Sequence, residues 1–505
     1  MRVSTMLRTT WSLRWTVIGA VVLTVAAHLM FLGTTPGADE GGYAVVARYA
    51  NDPGPFLYGP TFVDRPPLLI LLFKLAACLG SQGARIVATV AATLCVLAAA
   101  RAAYLIAGAR AARWAAAITA GFSSSPLLQA ENANGEIIAG AFVAGSIALI
   151  LEADRQRQSR PWCAAFLATL SGATAMAALF VKQNFGDAIA FAVVLAIAYL
   201  LTRGRVLWTL CSGYLIGAAA VLGWALLWSR HHHGAGALFY AMYGVRADAT
   251  GAVTSVTSVV QLKNIAILIG AGLASGVFLL AFAVLRANWR RGLRRIPIVG
   301  VAYLAAVGVE VVGILGGGNF ASHYLIGLVP TISVCTGVMI ANWRHGHHVW
   351  GLRWVRLTSV VIVASSLISS PVAAVAEHAD TNAVQVVGDW VRTASSPEDT
   401  IAVPFSNSPV IQISRLRPAY PYNWVLLVRT RDLRLTQFLE MLNGRHPPTW
   451  VVEWDLPSQV DLLAPAPILF TLRKHYQLLG SLCGKKIWLL DGHSPRVPLA
   501  RRACD

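Results

Sequence analysis

Apolar runs long enough to cross a membrane recur along the chain, with short polar stretches between them. They lack the alternation of a half-buried strand, so they predict helices that satisfy their own backbone groups in lipid. Eleven spans are predicted, at about 15–33, 84–106, 114–129, 137–152, 162–181, 186–201, 207–228, 264–285, 297–315, 324–341 and 357–375. The first follows Arg2, Arg8 and Arg14 and reads as an uncleaved span rather than a leader. A polar segment, 34–66, follows it. The next run, 67–80, is short and holds Lys74, which suits a helix lying in the interface. A second long polar segment occupies 229–262. Beyond 375 the pattern changes. "VVGDWVRTA" and "LTQFLEML" look helical, while "TIAVPF", "WVVEW" and "KIWLLD" look like strands. That alternation predicts a small α/β domain over 376–505 behind an α-helical polytopic membrane domain over 1–375.

Composition agrees. The chain is 56% hydrophobic and only 13% charged, with a mean hydropathy of +0.59, against about 25% charged residues in soluble domains. The net charge of +18 is unevenly placed. Lys and Arg gather at 2–14, 101–113, 155–160, 203–205, 286–295 and 344–356, all on one side of the predicted topology. This is the positive-inside pattern of a plasma-membrane protein, not a nucleic-acid footprint. It predicts a cytoplasmic N-terminus. An odd number of spans then puts the C-terminal domain outside, with the loops 34–83 and 229–262 on the same face.

Cysteine adds little. The seven cysteines form no CxxC pair, which argues against a zinc site. Cys78, Cys95, Cys163, Cys211 and Cys335 fall in or near apolar runs, as small core residues do. Cys483 and Cys504 lie in the tail, where an oxidising compartment would allow a disulfide between them. "HHH" at 231–233 and "RHGHH" at 344–348 are discounted as metal sites. Three consecutive histidines suit no fixed ligand set, and the second stretch belongs to a basic loop.

The predicted outer face collects five polar constellations, each with a plain and a chemical reading. "ADEGGYAVVARYA" places Asp39 and Glu40 at a helix start, where acids cap and favour the dipole. Tyr43, Val46, Ala47 and Ala50 recur at helical spacing, as on a helix lying on the membrane. "FVDRPPLLILLFK" sets Asp64 and Arg65 before a Pro-Pro helix start, either as a snorkelling pair or as a site for an anionic headgroup. "QAENANGEIIAG" puts Glu136 at the mouth of a span, where an acid is costly unless it caps or works. "LFVKQNFGD" leaves Lys182 on the face that positive-inside disfavours. "GGGNFASHYLIGLVP" joins a glycine turn to His323 and Tyr324.

In this order the motifs resemble glycosyltransferase family 39. An acid pair follows the first span, then "DRPPL", an acid opening the fourth span, "VKQ", and "GGNFASHYLIGLVP". The family groups bacterial aminoarabinose transferases with protein O-mannosyltransferases. The resemblance implies a GT-C-like fold and transfer of a sugar from a polyprenyl-phosphate donor to an acceptor hydroxyl outside the membrane, by a single inverting displacement. Asp39 is then the base and Glu40 its companion. Glu136 stands where many members have Asp, and Arg65 where many have Lys. Lys182 and His323 match positions facing the lipid phosphate, with Asp64, Tyr324 and Tyr43 in support. Such chemistry needs a carboxylate to accept a proton and cations to hold the departing phosphate. No cofactor is implied with certainty, and carboxylates alone leave use of a divalent cation open. The acceptor is a glycan, a glycolipid or a protein; no nucleic acid is implied. A transporter or lipid flippase is the alternative, which would place ionisable residues deep in several spans with repeat symmetry. A scaffold presenting the tail leaves the ordered acids and bases unused.

Overall fold

The computed structural model describes residues 2–204, 207–254, 258–291, 297–317, 319–342, 349–379, 382–404, 407–454 and 466–499. In chain order the first fifteen helices are α1 (Arg2–Leu29), α2 (Ala38–Tyr49), α3 (Pro67–Ala77), α4 (Gly83–Ser123), α5 (Gly135–Gln156), α6 (Pro161–Val181), α7 (Asp187–Arg203), α8 (Trp208–Arg230), α9 (Gly234–Phe239), α10 (Val245–Thr254), α11 (Ser258–Ala274), α12 (Val277–Arg291), α13 (Ile298–Gly316), α14 (Val329–Asn342) and α15 (Val349–Ala379). A π turn, Tyr240–Gly244, joins α9 to α10, and a 3-10 turn, Ser322–Leu328, leads into α14.

Among the described residues, eight helices are each long and apolar enough to cross a membrane, or nine if the pair at Gln261–Ala274 and Val277–Ala287, bent by 71°, is one span. All eleven predicted spans nevertheless fall on helices, and the counts differ for physical reasons. The 41-residue α4 carries two of them. Straight, it would run about 60 Å, but Ala107 and Gly108 leave helical geometry, Gly108 at φ +76°. Val96 and Ala100 pack in one cluster with Ala116 and Ala120, so α4 is a hairpin turning at Gly108. Glycine supplies the left-handed φ that the turn requires. The 17-residue α7 is just short of a lone span.

The bundle is held mainly by close approach of small residues and by buried hydroxyls, as lipid supplies little hydrophobic drive between helices. α4 packs on α14, α1 and α5, and α6 on α5 and α8. Gly213 and Gly217 of α8 bring its backbone against Ala165 and Thr169 of α6. Ser146 and Ser171 hydrogen-bond across α5 and α6 at 3.1 Å. Ser366 of α15 donates to the Gly121 carbonyl at 2.6 Å. Leu201, Ile216, Val312 and Ile368 face outward, as lipid-facing residues do. At one end of the bundle Glu152 accepts from Arg101 at 2.6 Å and also pairs with Arg155, and Arg113 donates to the Ser12 hydroxyl at 3.1 Å.

The tail carries α16 (Ala383–Ala394), α17 (Ser408–Ser414), α18 (Val425–Arg431), α19 (Thr436–Leu442) and α20 (Ala466–His475) around a five-stranded sheet. Its strands are β1 (Thr400–Ala402), β2 (Arg417–Pro418), β3 (Trp450–Glu453), β4 (Tyr476–Leu482) and β5 (Lys485–Leu490), in the order β2-β1-β3-β5-β4. β1 pairs in parallel with β2 and β3, while β3, β5 and β4 run antiparallel. The three predicted strands and two predicted helices are present. β2 and β4 were not foreseen, the first being only two residues long. The expected Cys483–Cys504 pairing involves Cys504, which lies outside the described residues, as does 344–348.

The tail closes on the end of the bundle opposite the Arg101–Glu152 pair. Phe62 N–H donates to the Pro421 carbonyl at 3.0 Å, and α17 packs on α2. The helix predicted to lie on the membrane surface, α2, is instead covered: Tyr43, Val45 and Val46 are buried. Two glycines make this fit. A Cβ on Gly41 would sit 2.8 Å from Pro409, and one on Gly42 would run into the Trp424 ring. α3 follows Pro66 as a short apolar helix, as its sequence predicts, with Leu75 on it and Leu79 just past it exposed.

Candidate active site

Five segments converge at the covered end: the start of α2, the loop before α3, the starts of α5 and α10, and the turn into α14. Between them lies a cavity of about 370 Å³, lined by Asp39, Asp64, Arg65, Arg246, His323 and Trp424 among others. A neighbouring cavity of about 220 Å³ shares Arg65, Arg246 and Tyr324 and runs past Lys182 to Gly313, Gly316 and Gly317 of α13.

The two adjacent acids part company. Successive residues on a helix point about 100° apart, so one carboxylate can face a cavity while its neighbour faces the bundle. Asp39 Oδ1 accepts from the Trp424 indole at 2.9 Å. Burial alone would raise its carboxyl. The charges of Arg65, His323 and Lys182, with the Trp424 bond, outweigh burial and hold it below the usual aspartate range. Its place in the first turn of α2 acts in the same sense. Glu40 borders the cavity, but its carboxylate takes the Arg85 guanidinium at 3.0 Å in a pair only 2% and 5% exposed. Arg85 also donates to the carbonyls of Phe31 and Thr35 and to the Thr34 hydroxyl. Glu40 thus ties α2 to α4 and to the end of α1.

The expected cations are present and joined to one another. Arg65 Nε donates to the Tyr43 hydroxyl at 2.8 Å, and its Nη1 lies 2.8 Å from Asp64 Oδ2. Tyr58 and Gln183 fix the backbone of this loop, donating to the carbonyls of Arg65 at 2.7 Å and Asp64 at 3.0 Å. Lys182, at the C-cap of α6, is buried, pairs with Glu136, and sits 4.7 Å above the Tyr324 ring. Glu136 itself is set by the Asn134 side chain, which caps α5 through the Ile137 N–H at 3.0 Å. His323 Nε2 is 3.5 Å from Glu136 Oε1, and its Nδ1 is 2.9 Å from Gln129 Oε1. Glu136 therefore faces two of the expected phosphate-binding cations rather than Asp39.

Two side chains at the site were not foreseen. Arg246, from the segment 229–262, lies 2.5 Å from Asp64 Oδ2 and lines both cavities. The π turn just before it re-aims the helix; such bulges often lie at functional sites. Trp424 comes from the tail, and its only foreshadowing is Gly42, which admits its ring. The histidines at 231–233 are dispersed: His232 stacks on Trp228 at 4.1 Å, and His233 Nε2 reaches the Gly54 carbonyl at 3.0 Å. Among the described residues no three His, Cys, Asp or Glu side chains are grouped to hold a metal ion.

Glu131, beside this cavity, is pushed up to about 7, chiefly by burial with Glu377 adding and Arg85 opposing. An acid raised in the folded state favours the proton-bound fold. Its stabilisation is complete below the ordinary glutamate range and is lost as pH rises through about 7. The displacement corresponds to roughly 3 kcal/mol. Glu131→Gln, which stays neutral, is expected to unfold a few degrees above wild type at pH 8 and at the same temperature at pH 4. Equal melting temperatures at pH 8 would contradict this.

No protein-family model matches the chain, and no curated protein matches it in sequence. Its structure is similar to solved ones. ArnT from Cupriavidus metallidurans bound to undecaprenyl phosphate superposes with a TM-score of 0.65 at 14% identity, covering 95% of this chain and 98% of that one. The Archaeoglobus fulgidus oligosaccharyltransferase in its apo form gives 0.58 at 12%, covering 92% and 73%. The mycobacterial arabinofuranosyltransferase AftD gives 0.51 at 13%, covering 95% and 40%. At such identities the likeness is one of fold, and the fold is that of the GT-C membrane glycosyltransferases.

Proposed function

We propose that this chain, built on the GT-C fold, is a glycosyltransferase that moves a sugar from a polyprenyl-phosphate carrier to an acceptor hydroxyl at the membrane surface. One observation carries the reading. Asp39, held ionised, shares a cavity at the end of a lipid-embedded bundle with Arg65, Arg246 and His323, and the field of Lys182 reaches it. That is a base beside an anion site, as displacement of a lipid phosphate needs. Structures of similar fold holding undecaprenyl phosphate and dolichol phosphate support it.

In this mechanism the acceptor oxygen attacks the anomeric carbon in one inverting step. Asp39 takes the hydroxyl proton. The bond from the anomeric carbon to the phosphate oxygen breaks, and the electron pair leaves with the polyprenyl phosphate. Arg65, Arg246, Lys182 and His323 stabilise the charge gathering on that phosphate. Glu136 holds Lys182 and His323 in place, and Asp64 does the same for Arg65 and Arg246. The glycine-lined face of α13 gives the prenyl tail a path into the lipid. Charge distribution favours the positive-inside orientation, with the site and the domain 376–505 extracytoplasmic.

The test is sugar transfer by purified protein in nanodiscs, with radiolabelled polyprenyl-phosphate sugars. Release of sugar from such a donor is expected; a protein that neither binds polyprenyl phosphate nor releases sugar would defeat the proposal. Arg246→Ala removes one charge-assisted contact, worth about 1.5–3 kcal/mol. Its Kd for polyprenyl phosphate is expected to rise roughly 10- to 100-fold, read by titration of the lipid.

A further inference from the structure

A third cavity, of about 410 Å³, lies on the other side of the Gly37–Ala38 backbone from Asp39. Gly37, Ala38, Gln129 and Asn132 border both cavities, so this short stretch is the partition between them. Gly37 packs closely on Asn132 in this stretch: a Cβ there would come within 2.9 Å of Asn132 Oδ1. The two chambers differ in chemistry. The Asp39 chamber is cationic. The third is lined by the carboxamides of Gln129, Asn132, Asn382 and Asn407 and the acids Glu131 and Glu377, with no Lys or Arg among its described lining residues. One acid oxygen there is unsatisfied: Glu131 Oε1 accepts from Asn132 at 3.0 Å, while Oε2 is buried without a hydrogen-bond partner.

Resting on the transferase reading, we infer that this chamber is the acceptor subsite and that its occupant is a neutral, hydroxyl-rich glycan. Carboxamides and carboxyls offer donors and acceptors side by side, which is what vicinal hydroxyls pair with. The absence of a cation there disfavours phosphorylated or carboxylated acceptors. A volume of about 410 Å³ is within the range of small-molecule sites. A peptide acceptor would call for an open strand edge or an apolar groove, and the chamber supplies neither. A sugar seated there would extend one hydroxyl past Ala38 to Asp39, while the lipid phosphate waits on the cationic side. The unpartnered Glu131 oxygen is then the contact that the glycan completes. The chamber's floor comes from the bundle and its roof from the tail, through Asn382, Val384, Asn407 and Pro409. Acceptor choice would thus be set by the less membrane-bound part of the chain.

Nanodisc-embedded protein loaded with polyprenyl phosphate tests this. Methyl glycosides and neutral disaccharides are offered beside a blocked Ser/Thr peptide, with binding read by saturation-transfer NMR. Two variants lie away from Asp39 and the cations: Val384→Trp, which fills the chamber, and Asn407→Ala, whose side chain caps no helix. The sugars are expected to bind. Both variants should raise their Kd, and the acceptor KM, about tenfold, with kcat and the polyprenyl phosphate Kd within twofold of wild type. Peptide binding abolished by Val384→Trp, with no sugar binding, would overturn the glycan assignment. Sugar binding unaffected by both variants would overturn the location. Sugar binding lost in both variants, from a protein that binds no polyprenyl phosphate, keeps the chamber and removes the transferase reading instead.

Discussion

Asp39→Asn should reduce sugar transfer by roughly 10²- to 10⁴-fold, the usual contribution of a positioned general base, while the protein folds as before. The substitution isolates chemistry from structure. Asparagine keeps an oxygen for the Trp424 indole that now sits 2.9 Å from Asp39 Oδ1, so the roof over the site stays in place. What disappears is the carboxylate's capacity to take a proton. The loss should fall on kcat, with the Kd for polyprenyl phosphate little changed or somewhat tighter, because one negative charge has left a cationic chamber. Since the neighbouring cations hold the Asp39 carboxyl below its ordinary range, the wild-type rate should show no acid limb from this group at pH 5 and above. Transfer by Asp39→Asn within tenfold of wild type would exclude Asp39 as the base.

The neighbouring acid should give the opposite result. Glu40→Ala strands the Arg85 guanidinium in a site where the pair is 2% and 5% exposed. Breaking a buried pair by removing one partner destabilises by about 3–5 kcal/mol, since the remaining charge is left without compensation. Low yield and a lowered melting temperature are expected, with transfer per folded molecule near wild type. Removing both charges, as Glu40→Leu with Arg85→Leu, should recover part of the loss, although the Phe31 and Thr35 carbonyls then lose their donor. A well-folded, inactive Glu40→Ala would reverse the division of labour between the two acids.

Much of this was legible in sequence, unevenly. Apolar runs mark the helices because a span must satisfy its backbone and face lipid, and both demands are local. Glu136 stood out because a charge at membrane depth needs a partner, and Lys182 because it lies on the face that positive-inside disfavours. The turn at Gly108 was legible too, since the basic stretch 101–113 parts two apolar runs, whereas the bend between α11 and α12 depends on packing rather than composition. The pairing of Glu40 with Arg85 was hidden by distance along the chain, 45 residues. The divergence of adjacent helical positions explains why Glu40, expected as the companion of Asp39, turns to Arg85 instead. Arg246 was obscured by its setting in a segment that reads only as polar loop. Trp424 left only a negative imprint, Gly42, where a side chain would collide with its ring.

That last contact joins residues 385 positions apart. Asp39 leaves the ribosome well before Trp424. At about 5–20 residues per second, roughly 20–80 s of synthesis separate them. The bundle can therefore enter the membrane, and meet polyprenyl lipids there, well before its carboxylate is seated. On the transferase reading, synthesis of the protein includes an inert interval, which ends only when the Trp424 segment folds down over α2.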